Sequence, residues 1–233
     1  MRLGIIAYDI PDVEYPECTF HHIVDGGIEP INTAVGNLMN AECDGILFLG
    51  KGCTPQADTI RTHKEILGRH AFPLITCGRI LDKDTGWKDY RQVGAAAKLK
   101  LFNSTGTNIQ NSAILTAGYG ISLGHVGMNR AAVDRLTRMT EMYFDSPTLF
   151  LKINNPTSFG LGKMLSLSAW CARVMIHMLP TGQNAVVYNG KSPNPYAKLE
   201  SDESSEQAVS ELGSRMKTDP PGLEFFDSAS DYS

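Results

Sequence analysis

Residues 44–55 read Asp-Gly-Ile-Leu-Phe-Leu-Gly-Lys-Gly-Cys-Thr-Pro. Ile46 to Leu49 is a continuous apolar run of strand length, the pattern of a strand covered on both faces. The run stops abruptly at Gly50-Lys51-Gly52, a small turn with one cation between two glycines. In open α/β sheets ligands bind just outside the carboxyl ends of the strands, so this turn is where a site is expected. Thr54 and Pro55 then read as the N-cap and first position of a helix reaching about Gly68.

The other signals alternate in the same way. Arg2 to Tyr8 reads as a short buried strand, and Thr19 to Val24 as a second one that ends in the turn Asp25-Gly26-Gly27. Asn32 reads as the cap of a helix with Val35, Leu38 and Met39 at helical spacing. Phe72 to Ile80 reads as a strand, and 82–112 as a long polar loop with a partial helix near 95–101. Ser112 to Leu123 is strand-like but punctuated by glycines, and Arg130 to Phe144 is helical. Met164 to Leu179 reads as one helix, because Leu165, Ser168, Ala169, Ala172, Met175, Ile176 and Leu179 form a single i, i+3, i+4 stripe. Gln183 to Tyr188 is the last strand. Strands alternating with helices predict a layered α/β domain over residues 1–195, its mixed, mostly parallel sheet flanked by helices.

Charge divides the chain unevenly. Residues 196–233 hold nine acidic residues against three basic ones, so the remainder of this −4 chain is slightly positive. That segment is also Ser-rich and poor in branched apolar residues, which predicts a disordered tail. Arg61 to Lys100 is the most basic stretch, with Arg61, Lys64, Arg69, Arg79, Lys83, Lys88, Arg91, Lys98 and Lys100. It reads either as an ordinary solvated surface or as a face for an anionic ligand or nucleic acid. The five cysteines are scattered without a C-x-x-C pair, which reads as reduced thiols and neither a disulfide framework nor a zinc site. Leu3 to Ala7 is too short for a signal peptide and no apolar run is long enough to span a membrane. No membrane partner and a cytoplasmic location are therefore expected.

Taken in order, four stretches resemble the family-2-type nucleotide-sugar glycosyltransferases, which have the Rossmann-like glycosyltransferase A fold. Gly4 to Tyr8 resembles the opening strand, and Ile23-Val24-Asp25-Gly26-Gly27 the second strand with its base-holding aspartate. Asp44 to Pro55 resembles the strand that ends in a metal-binding Asp-x-Asp, with the helix after it. Gly118 to Ala131, followed by Ser158 to Ser168, resembles the acceptor region, where the family has a Glu-Asp pair leading a helix. The chain departs from that pattern at its chemistry. Asp-x-Asp is replaced by Gly50-Lys51-Gly52, and Glu-Asp by Lys163-Met164. The late histidine of the metal shell would fall near Tyr188-Asn189.

The resemblance implies transfer of a sugar from a nucleotide donor, a uridine diphosphate sugar first among them; the basic segment 61–100 alone adds a hydroxylated base in DNA as one option for the acceptor. The resemblance equally admits a domain that binds such a donor without turnover. Donor contacts are implied at Ala7, Tyr8, Asp25, Gly26, Gly50, Lys51 and Gly52, and acceptor contacts at Trp87, Gly124 and Gly162. A conventional Mg or Mn site is not expected, because hard cations need carboxylate oxygens that this turn lacks. Lys51 could stabilise a departing diphosphate directly, with the flanking glycines letting backbone N–H groups approach. The alternative is a surface lysine in a tight turn. Lys163, at a helix start, and His125, among glycines, are the candidates for proton transfer. Against that, the commoner readings are an exposed side chain for Lys163 and a loop histidine for His125. Trp87 is either a stacking platform or a loop anchor.

Overall fold

The computed structural model describes residues 1–8, 20–24, 27–82, 88–89, 113–115, 121, 123–154, 157–179, 185–190, 202–222 and 225. Their strands are β1 (Leu3–Tyr8), β2 (Phe20–Val24), β3 (Gly45–Leu49), β4 (Cys53–Pro55), β5 (Leu74–Cys77), β6 (Ile80–Asp82), β7 (Lys88–Asp89), β8 (Ala113–Leu115), β9 (His125–Asn129), β10 (Met175–Met178) and β11 (Val186–Tyr188). The helices are α1 (Ile28–Asn40), α2 (Thr59–Gly68), α3 (Arg130–Phe144), α4 (Ser158–Cys171) and α5 (Glu203–Thr218).

A seven-stranded sheet runs β2-β1-β3-β9-β5-β10-β8, and a four-stranded one runs β4-β11-β6-β7. In the large sheet β1 is parallel to β2 and β3, and β10 is parallel to β5. β9 lies antiparallel to both β3 and β5, and β8 antiparallel to β10. Five strands therefore point one way and two are reversed. The α/β layering and mixed sheet expected from sequence are present, but antiparallel pairs are as many as parallel ones in the large sheet, because the two reversed strands are not neighbours.

Alternation in the central strands builds two cores. Ile6, Ile46, Phe48, Ile75, Val126 and Met128 face a layer made by α1, α3, α4 and α5. Ile5, Leu47, Leu49 and Leu74 face α2 and the small sheet, through Ile60, Leu67, Ile80, Val186 and Tyr188. Helix α1 fits its layer because Ile28, Ile31, Ala34, Val35 and Leu38 fall on one face. Asn32 is no cap. It lies inside α1, donating to the Phe150 carbonyl (2.8 Å) and accepting the Phe150 amide (3.1 Å).

Four other expectations change. Cys53–Pro55 is strand β4, and α2 begins only at Thr59. The single helix expected over Met164 to Leu179 is instead α4 followed by β10, because Arg173 adopts a left-handed φ of 54° that ends the helix. His125 to Asn129 is a fully buried strand and no loop. The tail expected to be disordered contains α5, whose Ala208 and Leu212 enter the first core, as does Phe225. Asp202 fastens the start of this helix. Its carboxylate accepts from the Ser205 amide (2.7 Å) and from the amide (2.7 Å) and hydroxyl (3.1 Å) of Thr157, the N-cap of α4.

Because Leu212 is fully buried, Leu212→Ala should destabilise the chain by about 2–5 kcal/mol in urea unfolding. Truncation after residue 196 should lower the melting temperature clearly. An unchanged midpoint in either case would show that α5 does not belong to the core.

Candidate functional site

The direction of each strand decides what reaches the end of the sheet where Gly50 lies. Parallel β1, β3 and β5 bring their last residues there, and reversed β9 brings its first. Ala7 is in register with Leu49. Gly50 then donates its amide to the Gly124 carbonyl at 3.0 Å, and Gly78 donates to the His125 carbonyl at 3.2 Å. Helix α4 starts at the same end, since it runs down to the beginning of β10. Its Gly162 is packed so closely on the Ile121 carbonyl that a Cβ would overlap that oxygen.

Gly50 to Cys53 is a hydrogen-bonded turn, with the Cys53 amide on the Gly50 carbonyl at 2.9 Å. Gly52 has φ +73° while Lys51 is not left-handed, the type II arrangement that favours glycine at this position. Strand β11 closes over it. The Asn189 amide donates to the Gly52 carbonyl (2.9 Å), and the Asn189 side chain donates to Thr54 Oγ1 (3.2 Å). The Tyr188 ring lies on Gly52, where a Cβ would meet it at 2.9 Å. Lys51 is exposed at the tip of the turn.

The structure thus brings Ala7, Gly50, Lys51, Gly52 and Gly124 to one end of the sheet, while Gly162 is placed only against Ile121. For Tyr8 the backbone alone is described, opposite Val24 in β2. Asp25, Gly26 and Trp87 lie outside the described residues. Asn189, singled out in the sequence only as the place of a lost ligand, is the residue that latches the turn. No local pattern could have revealed that, because the contact spans the chain from β4 to β11.

Neither proton-transfer candidate stands open to this site. Lys163 makes an ion pair with Glu206 of α5 and is 32% exposed. The cation at this helix start is therefore offset by the chain's own carboxylate. His125 is fully buried. Its Nδ1 is 3.0 Å from the Arg79 carbonyl and its Nε2 is 2.9 Å from Nε2 of His63, itself buried in α2. Burial pushes the His125 pKa down to about 4 despite the hydrogen bond to Arg79, and burial together with the neighbouring His125 holds His63 well below the usual range.

Two arginines of the basic stretch are paired with acids of α2 and its N-cap. Arg61 contacts Asp58 (2.5 Å) and Glu65 (4.0 Å), and Arg69 contacts Glu65 (3.6 Å). Among the described residues no three His, Cys, Asp or Glu side chains converge as a metal site, and no helix is long and apolar enough to cross a membrane. The larger open cavity described, about 500 Å³, lies at the other end of the sheet, between Met1, Asp44, His70, Asn129 and Asp134.

No family model and no curated protein matches this chain. Solved structures similar to it include a mycobacterial protein, 11% identical over 92% of this chain and 74% of that one, with a TM-score of 0.45. Another is A197 from STIV, 14% identical over 77% of this chain and 82% of that one, with a TM-score of 0.38. At such low identity and TM-score neither bears on what the site does.

The buried histidines generate a pH prediction. Their folded pKa values lie below the ordinary value of 6.5, so between 6.5 and about 4 the unfolded chain binds protons that the native chain refuses. Stability is complete above about pH 6.5 and falls with acid. Between pH 6 and 5 the unfolding free energy should drop by up to about 1.4 kcal/mol for each histidine. A flat urea-unfolding profile across that interval would contradict a neutral pair.

Proposed function

We propose that this chain is a glycosyltransferase-type domain that binds a nucleotide sugar beside Gly50-Lys51-Gly52, with Lys51 taking the place of a metal ion. The observation that carries this reading is the convergence on that turn. Residues distant in sequence, Gly124 and Asn189, hydrogen-bond to Gly50, Gly52 and Thr54. The glycosyltransferase A resemblance implies that its donor strand, its acceptor region and its late ligand position meet in this way. The mixed sheet flanked by helices is compatible with the same fold.

In this reading the diphosphate lies against the turn, where the Lys51 ammonium is a compact cation on an exposed tip and the glycines admit the phosphate oxygens to the backbone. Sugar transfer would then require Lys51 to stabilise the charge that develops on the leaving nucleoside diphosphate. A second reading, donor binding without turnover, is favoured by a specific observation. Lys163 is neutralised by Glu206 and His125 is buried, so neither is available as a base.

Uridine diphosphate should bind the full chain in the presence of chelator, as measured by calorimetry. Lys51→Ala should weaken that binding by about 1.5–3 kcal/mol, the worth of a charge-assisted hydrogen bond. Unchanged affinity in Lys51→Ala, or binding that appears only when Mn or Mg is added, sinks the substitution of lysine for metal. Hydrolysis of the donor sugar by the purified chain separates transfer from binding alone.

A further inference from the structure

His63 and His125 lie between the large sheet and α2, and glycine stands beside each ring. A Cβ on Gly127 would come within 2.6 Å of His63 Nδ1 and 2.7 Å of Thr76 Oγ1, and one on Gly78 would overlap the His125 ring. Two strands of the sheet thus leave space for an imidazole pair where aliphatic side chains would otherwise pack.

The partners at each end determine where the protons sit. The Arg79 carbonyl only accepts, so His125 carries its proton on Nδ1. His125 Nε2 is then a lone pair, and it receives from His63 Nε2–H at 2.9 Å. That leaves His63 Nδ1 as an acceptor, and the Thr76 hydroxyl, 2.7 Å from it and 3.3 Å from the Gly127 carbonyl, gives its one hydrogen to the nearer ring nitrogen. With both rings neutral every bond in this chain is made, and it has one direction, from Thr76 to Arg79. The same Arg79 carbonyl accepts the Val186 amide at 3.0 Å. Val186 opens β11, and just beyond the far end of that strand the Asn189 amide lies on the Gly52 carbonyl.

We infer that His125 is a positioning residue: through the Arg79 carbonyl it holds β11, and with it Asn189, over the Gly50–Gly52 turn, while His63 and Thr76 keep its Nδ1–H aimed. Apolar packing of Ile80, Val186 and Tyr188 already joins the small sheet to the large one. The imidazole adds a donor at the carbonyl that both sheets share. A donor in that place is worth more than in water, because the layer around it is dry.

Nitrogen-15 NMR of the full chain at pH 7 reads the proton positions directly. Protonation of His125 at Nδ1 and of His63 at Nε2 is expected, and the opposite tautomer in either ring, or a doubly protonated ring, overturns the inference. Variants test the positioning. An asparagine amide reaches the place of Nδ1 and a glutamine amide that of Nε2. His125→Asn should therefore keep slow amide exchange at Val186 and Asn189, whereas His125→Gln should speed it by about tenfold or more with β1 and β3 unaffected. Equal exchange in the two variants overturns the positioning role, and the tautomer measurement on the wild type stands whether or not a variant folds. Uridine diphosphate affinity, the one arm that rests on the nucleotide reading, should follow the same order. Absence of nucleotide binding in the wild type with the exchange pattern intact would remove that reading and leave the relay in place.

Discussion

A strand laid antiparallel between two parallel neighbours delivers its first residue, and not its last, to the carboxyl end of the sheet. β9 does this between β3 and β5, and the rest of the candidate site depends on it. Its start places the Gly124 and His125 carbonyls where the amides of Gly50 and Gly78 can reach them. Its other end is fastened with equal care. The Asn129 side chain accepts from the Leu74 and Ala132 amides and donates to the His70 and Phe72 carbonyls, so it caps α3 and anchors the entry to β5 at once. All four capacities of one amide are used, which pins the strand in length as well as direction. A one-residue slip would turn His125 and Gly127 into the opposite core.

That reversal is also what the sequence conceals. β1 and β3 were legible because their residues are apolar on both faces, and α3 because its apolar spacing runs cleanly between the Asn129 cap and left-handed Asp145. β9 reads His-Val-Gly-Met-Asn. Val126 and Met128 face one core while His125, Gly127 and Asn129 face the other, where each meets a partner that only the fold supplies. Such a strand has no apolar alternation strong enough to separate it from a glycine-rich loop. The stripe from Met164 to Leu179 failed for the converse reason. Ala172, Ile176 and Leu179 are all buried, but a left-handed residue at 173 carries the chain from helix to strand without breaking the apolar count. The acidic tail was misread by composition, since two buried residues per few turns, Ala208 and Leu212, suffice to dock a helix once its N-terminus is capped by Asp202.

The placement of α5 changes the electrostatics of the acceptor-like region. Lys163 near the start of α4 opposes the helix dipole, and the sequence alone suggests that an external anion compensates it. Glu206 does so instead, while Asp202 takes the free N–H of Thr157. The hydrogen bonds to Thr157 and Ser205 hold the Asp202 carboxyl below its usual range even though burial acts to raise it. Two acids of the tail therefore occupy the positive end of α4. Gly160, which has no side chain to keep Asp202 and Ser205 away, makes the approach possible. The positive end of α4 is thereby spent on holding the fold together.

A lysine and a divalent metal do not supply the same field. At 4 Å and an effective dielectric constant of about 20, one unit charge stabilises another by about 4 kcal/mol, and a divalent ion by about twice that before desolvation. A single ammonium leaves much of a diphosphate's charge uncompensated. The turn offers one means of closing the gap. Its backbone is held at Gly50 by Gly124 and at Gly52 by Asn189, so its dipoles need no reorganisation when an anion arrives. Rigidity substitutes for charge only as long as the small sheet stays where it is, which makes the Asn189 latch on Gly52, and the Arg79 contact that lies away from the turn, part of what the proposed site requires.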